Sequence, residues 1–164
     1  MIRFFAFVVA IGLLVGFILP SGKPTRGDAA PANSGAVSGS AREVVLTRGS
    51  TGHFFTRAEV NGKPGVKFIV DTGASIVALT MDDARKIGVA VDPSRFDIVG
   101  EGAGGPVRGQ RVMLKSIEID GIRVENVRGV VLESSTLSLL GQSFLGSVDQ
   151  VSMSGDYLSL RDGA

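Results

Sequence analysis

The chain has 164 residues, a net charge of +1 and no cysteine. That length fits one domain with extensions, the charge gives no electrostatic case for nucleic acid, and disulfides and a thiol nucleophile are excluded. The only histidine, His53, leaves a structural zinc site short of ligands and would be the sole imidazole base for any serine triad, so no metal and no cofactor is expected.

Residues Phe4 to Leu19, FFAFVVAIGLLVGFIL, carry no charge. As a helix, 16 to 20 residues span about 24 to 30 Å, close to the hydrocarbon core of a bilayer. The run is long for the apolar part of a cleaved leader, and no small-x-small site follows it directly. Residues 1–20 are therefore expected to be a transmembrane anchor, with 4–19 in the membrane. Arg3 precedes the run while Lys23 and Arg26 follow it, so the positive-inside count is balanced. A short N-terminal tail before an apolar run resembles an export signal, so the rest of the chain is expected in the periplasm or otherwise outside the cytoplasm.

Residues 21–41 are dominated by Gly, Ser, Pro and Ala. They cannot bury enough apolar surface to offset their ordering entropy and read as a flexible linker. The folded domain is expected over 42–164. There, short β-branched runs alternate with glycine-rich turns: Glu43–Leu46, Phe54–Val60, Val66–Val70, Ile76–Leu79, Val112–Ile119, Val124–Val131 and Tyr157–Leu160. Asn61-Gly62 and Asp120-Gly121 are hairpin signals. One helix is legible, with Thr80 as N-cap, Asp82 and Asp83 in its first turn, Lys86 near its end and Gly88 as its stop.

Val66 to Thr80 read VKFIVDTGASIVALT. An acidic residue directly after an apolar strand, followed by Thr72 and Gly73, suits aspartic catalysis. Two close carboxylates share one proton, because like charges at that range do not both ionise cheaply. The ionised member activates water and the protonated one donates to the substrate carbonyl. The Thr72 hydroxyl is expected to fix the loop, and Gly73 allows a tight turn behind the carboxylate. A bare Asp-Thr-Gly arises by chance in roughly a few per cent of chains this long. Here it sits between Phe68-Ile69-Val70 and Ala74-Ser75-Ile76-Val77, as a turn between two buried runs.

These residues resemble the bacterial membrane-anchored branch of the retropepsin-like aspartic peptidases, over about Gly52 to Leu160. Gly52-His53-Phe54 and Val60-Asn61-Gly62 match its lead-in, Val70-Asp71-Thr72-Gly73-Ala74-Ser75 its active-site loop, and Ala84 with Ile87-Gly88 the following helix. Gly100, Glu101, Gly102, Ala103, Gly104 and Gly105 lie where the family carries its flap, a mobile hairpin over the substrate. Leu139-Leu140-Gly141 matches the second family motif, which braces the active-site loop. Two departures stand out: a Glu-Gly-Ala-Gly-Gly flap, and Gln142 after the second motif. The resemblance implies a mostly β, closed acid-protease barrel with a flap hairpin near residues 99–110 and one or two short helices. It also implies an endopeptidase acting on peptides or proteins, with Asp71 catalytic and Thr72 to Ser75 supporting it.

The mechanism needs two carboxylates, and the sequence has one Asp-Thr-Gly. Asp120-Gly121 and Asp162-Gly163 lack the hydroxyl residue. The second Asp71 must come from another copy of the chain, so a homodimer is expected. The competing reading is a catalytically silent module of this fold, used for dimerisation or peptide binding in the cell envelope; the intact triplet favours the enzyme. The remaining polar residues have plainer readings. His53 is a turn residue before a strand, Asp82 and Asp83 are helix-start charges, and Glu118 and Asp120 are a solvated strand face. Ser75 lacks a base, and the 100–105 glycines lack the Lys-Ser/Thr of a phosphate loop.

Overall fold

The computed structural model describes residues 41–102 and 104–163. The expected anchor, and all of the expected linker but its last residue, lie outside them. The strands are β1 (Arg42–Thr47), β2 (Phe55–Val60), β3 (Lys63–Val70), β4 (Val77–Leu79), β5 (Asp97–Gly102), β6 (Gly105–Ile119), β7 (Ile122–Leu132), β8 (Ser138–Leu140), β9 (Gln150–Ser154) and β10 (Tyr157–Asp162). Two short helices, α1 (Met81–Lys86) and α2 (Gln142–Leu145), interrupt them.

Turn chemistry builds the two long hairpins. Asn61 and Gly62 adopt φ of 54° and 76°, and Asp120 and Gly121 adopt 46° and 90°. Residues of these types tolerate the left-handed region at low cost, and paired left-handed residues match the twist of the flanking strands. The hairpins β2–β3 and β6–β7 follow. Period-2 alternation then aims Thr56, Ala58 and Val60 of β2 and Val66 and Phe68 of β3 inward.

The strands follow the order β2-β3-β8-β4-β7-β6, and β6 returns to β2 through Glu59 opposite Glu118 and Val60 opposite Ile117. Six strands therefore close into a barrel. Most neighbours are antiparallel; β3–β8 and β4–β7 are parallel. Phe68, Leu79, Leu114, Ile117, Ile119, Ile122, Leu140 and Phe144 are fully buried inside. Each contributes about 1.5–3 kcal/mol of burial free energy before entropic costs. The second sheet, β1-β10-β9, lays Val44, Leu158 and Leu160 on the same core. Strand β5 stands outside the ring and pairs only with β6.

The helix α1 follows the sequence closely. Thr80 accepts a hydrogen bond from the Asp83 N–H at 3.0 Å, and Gly88 takes a φ of 74° just beyond the helix. Two strands were not expected: β8 and β9. Among the described residues no helix is long and apolar enough to cross a membrane.

Candidate active site

Strand β3 delivers Asp71 at its C-terminal end, and β4 begins at Val77 after the loop 71–76. Strand β8 inserts between the two. It runs parallel to β3, with Val70 opposite Leu140, and antiparallel to β4, with Ala78 opposite Leu139. The two sequence motifs, some 70 residues apart, thus become neighbours, with Leu139, Leu140 and Gly141 placed as the brace of the loop.

The loop is held mainly by backbone. The Asp71 N–H donates to the Leu140 carbonyl at 3.1 Å, and the Ala74 N–H to the Asp71 carbonyl at 3.2 Å. The Gly73 N–H donates to Asp71 Oδ1 at 2.9 Å, which fixes the carboxylate against its own loop. A Cβ on Gly73 would come within 3.3 Å of that same oxygen. The Gln142 N–H donates to the Ala74 carbonyl at 2.8 Å, and its side-chain Nε2 to the Thr72 carbonyl at 2.8 Å. A Cβ on Gly141 would collide with the carbonyl oxygens of Ile76 and Ala74. Only glycine lets the second motif lie this close.

The Thr72 hydroxyl makes no hydrogen bond among the described residues. Within one chain, therefore, the loop is fixed by Gly73 and Gln142 rather than by Thr72. Asp71 and Ala74 are half-buried, and Thr72, Gly73 and Ser75 are exposed.

Sequence reasoning missed two side chains here because serine carries no strong local signal. Ser143 Oγ accepts from the Val77 N–H at 2.9 Å and donates to the Arg128 carbonyl at 2.7 Å, tying α2 to β4 and β7. Buried Ser138 accepts from the Thr80 N–H at 3.1 Å and donates to Asp83 Oδ2 at 2.7 Å. Asp83 is thus more than a helix-start charge. Burial works against its ionisation, but hydrogen bonds from Ser138, Lys86 and Thr80 outweigh that and hold its carboxyl below the ordinary value.

Strands β5 and β6 form the hairpin expected at the flap. Gly102 pairs with Gly105, Glu101 with Pro106 and Gly100 with Val107. Gly100, Glu101, Gly102 and Gly104 are exposed, Gly105 turns with a φ of 103°, and Ala103 lies outside the described residues. At the hairpin base Arg108 binds Glu133 at 3.1 Å and the Phe96 carbonyl at 3.1 Å.

His53, Asp82 and Glu118 take the plain roles read from the sequence. His53 is exposed before β2, Asp82 pairs with Arg85, and Glu118 pairs with Arg123. No three metal-ligating side chains gather among the described residues. Two of the open depressions on the described surface bear on the site. One is bounded by Thr80, Asp82, Arg85 and Glu133–Thr136, the other by Ile76, Arg111–Met113, Arg128 and Gly129; neither includes Asp71. One chain therefore presents a single oriented, half-buried carboxylate. Such a group can act as an acid or as a base at a given moment, but not both.

Residues 56–144 match the aspartyl protease family. The chain is 33% identical to a retropepsin-like aspartic protease from Rickettsia conorii of known crystal structure. The two superpose with a TM-score of 0.62 over 74% of this chain and 91% of that one. It is 42% identical over 123 residues to an uncharacterised Sinorhizobium protein, covering 74% of this chain and 52% of the relative. It is also 38% identical over 104 residues to an uncharacterised protein of Rickettsia prowazekii, covering 63% and 44%. The chain spans about half the length of these two relatives. A closed barrel, an Asp-Thr-Gly loop and a Leu-Leu-Gly strand threaded beside it place the chain in the aspartyl protease family, with the retropepsin-like fold.

Proposed function

We propose that the chain is an aspartic endopeptidase that works as a homodimer, with one Asp71 from each copy. The observation that carries this reading is the Asp71 carboxylate, held by the Gly73 N–H in an exposed, braced loop that occurs once per chain. A two-fold axis beside the loops brings the carboxylates together and builds one cleft from two open surfaces. The unpaired Thr72 hydroxyls then lie within reach of the opposite loop.

In that cleft the ionised Asp71 takes a proton from water as the water oxygen adds to the substrate carbonyl carbon. The protonated Asp71 gives its proton to the carbonyl oxygen. The tetrahedral intermediate collapses as the first Asp71, now protonated, gives its proton to the departing amine nitrogen and a hydroxyl of the intermediate returns a proton to the second, and no covalent enzyme intermediate forms. The β5–β6 hairpins, with Gly100 to Gly105 at their tips, close over the peptide.

Membrane attachment is part of the proposal. Residues 4–19 anchor the chain, with the catalytic domain outside the cytoplasm, and confinement raises the local concentration of partners. A mature protein beginning after residue 20 would make that segment a leader instead.

The test is pepstatin-sensitive cleavage of a denatured protein. Asp71→Asn is nearly isosteric but cannot activate water, so turnover falls by about 10²–10⁴-fold while the fold persists. Specific activity rises with enzyme concentration, and excess Asp71→Asn subunits suppress it. Near wild-type turnover in the Asn variant removes Asp71 from the mechanism. Activity independent of concentration in a strictly monomeric protein removes the dimer.

A further inference from the structure

The depression beside the Asp71 loop has an unusual charge pattern. It is open to solvent and offers a volume of about 400 Å³. Its lining is mostly apolar, from Ile76, Val112, Met113 and Gly129, and the polar groups on its rim are Arg111 and Arg128. No acidic residue lines it. Neither guanidinium makes a hydrogen bond or ion pair among the described residues, and both side chains are exposed. The other depression differs: it carries both signs, Arg85 is paired with Asp82, and Glu133 is paired with Arg108.

The strand ladder fixes the backbone beneath this cationic rim. Met113 stands opposite Arg128 across the β6–β7 pair, and Gly129 stands opposite Val77 across the β7–β4 pair. The Arg128 carbonyl accepts from Ser143 Oγ, which also receives the Val77 N–H, so the Arg128 backbone is locked to the end of the active-site loop. Ile76 is five residues beyond Asp71. Chain geometry therefore puts the depression within about 17 Å of the carboxylate. An extended peptide advances about 3.3 Å per residue, so one that crosses Asp71 and runs toward Ile76 would reach the depression within about five residues of the cleaved bond.

Resting on the peptidase reading, we propose that this depression is a specificity subsite for an acidic side chain of the substrate. The apolar floor of Ile76 and Met113 covers the methylenes of a glutamate, and the Arg111 and Arg128 forks take its carboxylate. Guanidinium suits this role because it is planar, permanently charged and able to bind a carboxylate through two parallel hydrogen bonds. An unpaired cationic rim also disfavours lysine or arginine at the same substrate position.

The test uses the full chain and a neutral peptide that it cleaves, with Glu, Gln or Lys substituted in turn at each position within five residues of the scissile bond. The expected result is one position where kcat/KM for Glu exceeds that for Gln by about five- to tenfold, with the excess shrinking as salt rises. Arg111→Gln with Arg128→Gln brings that ratio close to one. Arg111→Glu with Arg128→Glu inverts it in favour of Lys, a gain that general damage to the barrel does not produce. If the Gln pair does not fold, Arg111→Lys with Arg128→Lys keeps the charge, loses the fork and lowers the ratio in part. Wild-type cleavage of the neutral peptide with no Glu preference at any position overturns the subsite and leaves the peptidase reading standing. A preference that survives in the Gln pair also overturns it. No cleavage of any peptide by the wild type rejects the peptidase reading, and the subsite with it.

Discussion

The active-site loop with its brace and the β5–β6 hairpin are both rich in glycine, yet they use it for opposite ends. Around Asp71 the chain is crowded. Loop 71–76 is tied to β8 and α2 by the Leu140 and Ala74 carbonyls and the Gln142 side chain. The hairpin is paired along one side only, and its tip residues are exposed. Gly141 is glycine because a side chain has no room. Gly104 has open space among the described residues, with nothing within 4 Å of where a methyl would sit. The first region holds the Asp71 carboxylate against its own loop, and the second leaves a hairpin tip with no packing around it among the described residues. Each claim is open to substitution.

The largest expected effect is Gly141→Ala. Its new methyl would meet the Ile76 carbonyl oxygen, and the Ala74 carbonyl oxygen at 2.7 Å, both backbone atoms of the active-site loop. Backbone cannot swing aside as a flexible side chain can, so β8 must separate from the loop. The expected cost is about 3 kcal/mol or more, a fall in Tm of about 10 °C. Thermal melts of the two proteins check this. An unchanged Tm would show that β8 is not packed against the loop as described.

Ser138→Ala comes next and probes the polar link behind the same brace. It leaves the buried Thr80 N–H without its acceptor, at a cost of about 1–3 kcal/mol near neutral pH. It also removes one of the hydrogen bonds that hold the Asp83 carboxyl below its ordinary value. A carboxyl depressed in the fold adds stability that is fully present above its unfolded value of about 3.9 and is lost as pH falls through the depressed folded value. The gap between wild type and Ser138→Ala therefore narrows below about pH 3.9. Urea melts at neutral and acid pH measure that gap; one that stays constant would remove Asp83 from the linkage.

The same comparison explains what is legible in the sequence. Asn61-Gly62, Asp120-Gly121 and the Thr80 cap are local signals, and the hairpins and helix they predict are present. The closed barrel is implied by the resemblance that the two motifs carry, and Asp71 is marked by its Asp-Thr-Gly triplet at a strand end. By contrast β8 is only three residues long and is wedged between two neighbours, with Ser138 and Leu140 buried, so it is too short to show a pattern and its strand character comes wholly from its partners. β9 is a polar edge strand, QVSMS, exposed along most of its length. Gln142 departs from the family pattern, and the structure gives it the Thr72 carbonyl as a partner. Ser138, Ser143 and the Arg111–Arg128 rim cannot be found from sequence because each is defined by contacts across the barrel. Spacing along a chain does not encode those contacts.

The smallest expected effect is on the hairpin side, and its sign is opposite. Gly104→Ala places a methyl where nothing stands within 4 Å among the described residues, and Gly104 is not in the left-handed conformation that its neighbour Gly105 adopts with a φ of 103°. Alanine is therefore compatible with the folded backbone. It restricts the unfolded chain more than the folded one, so stability stays level or rises by up to about 1 kcal/mol. If the hairpin must open to admit a peptide, the same stiffening acts on function. The open forms of the tip lose freedom, and peptide turnover falls modestly while Tm does not. Measuring Tm and kcat on one variant separates the two regions, because Gly141→Ala lowers both together. A fall in Tm on Gly104→Ala comparable to that of Gly141→Ala would mean that the tip is packed, and the contrast between a braced loop and a free hairpin would no longer hold.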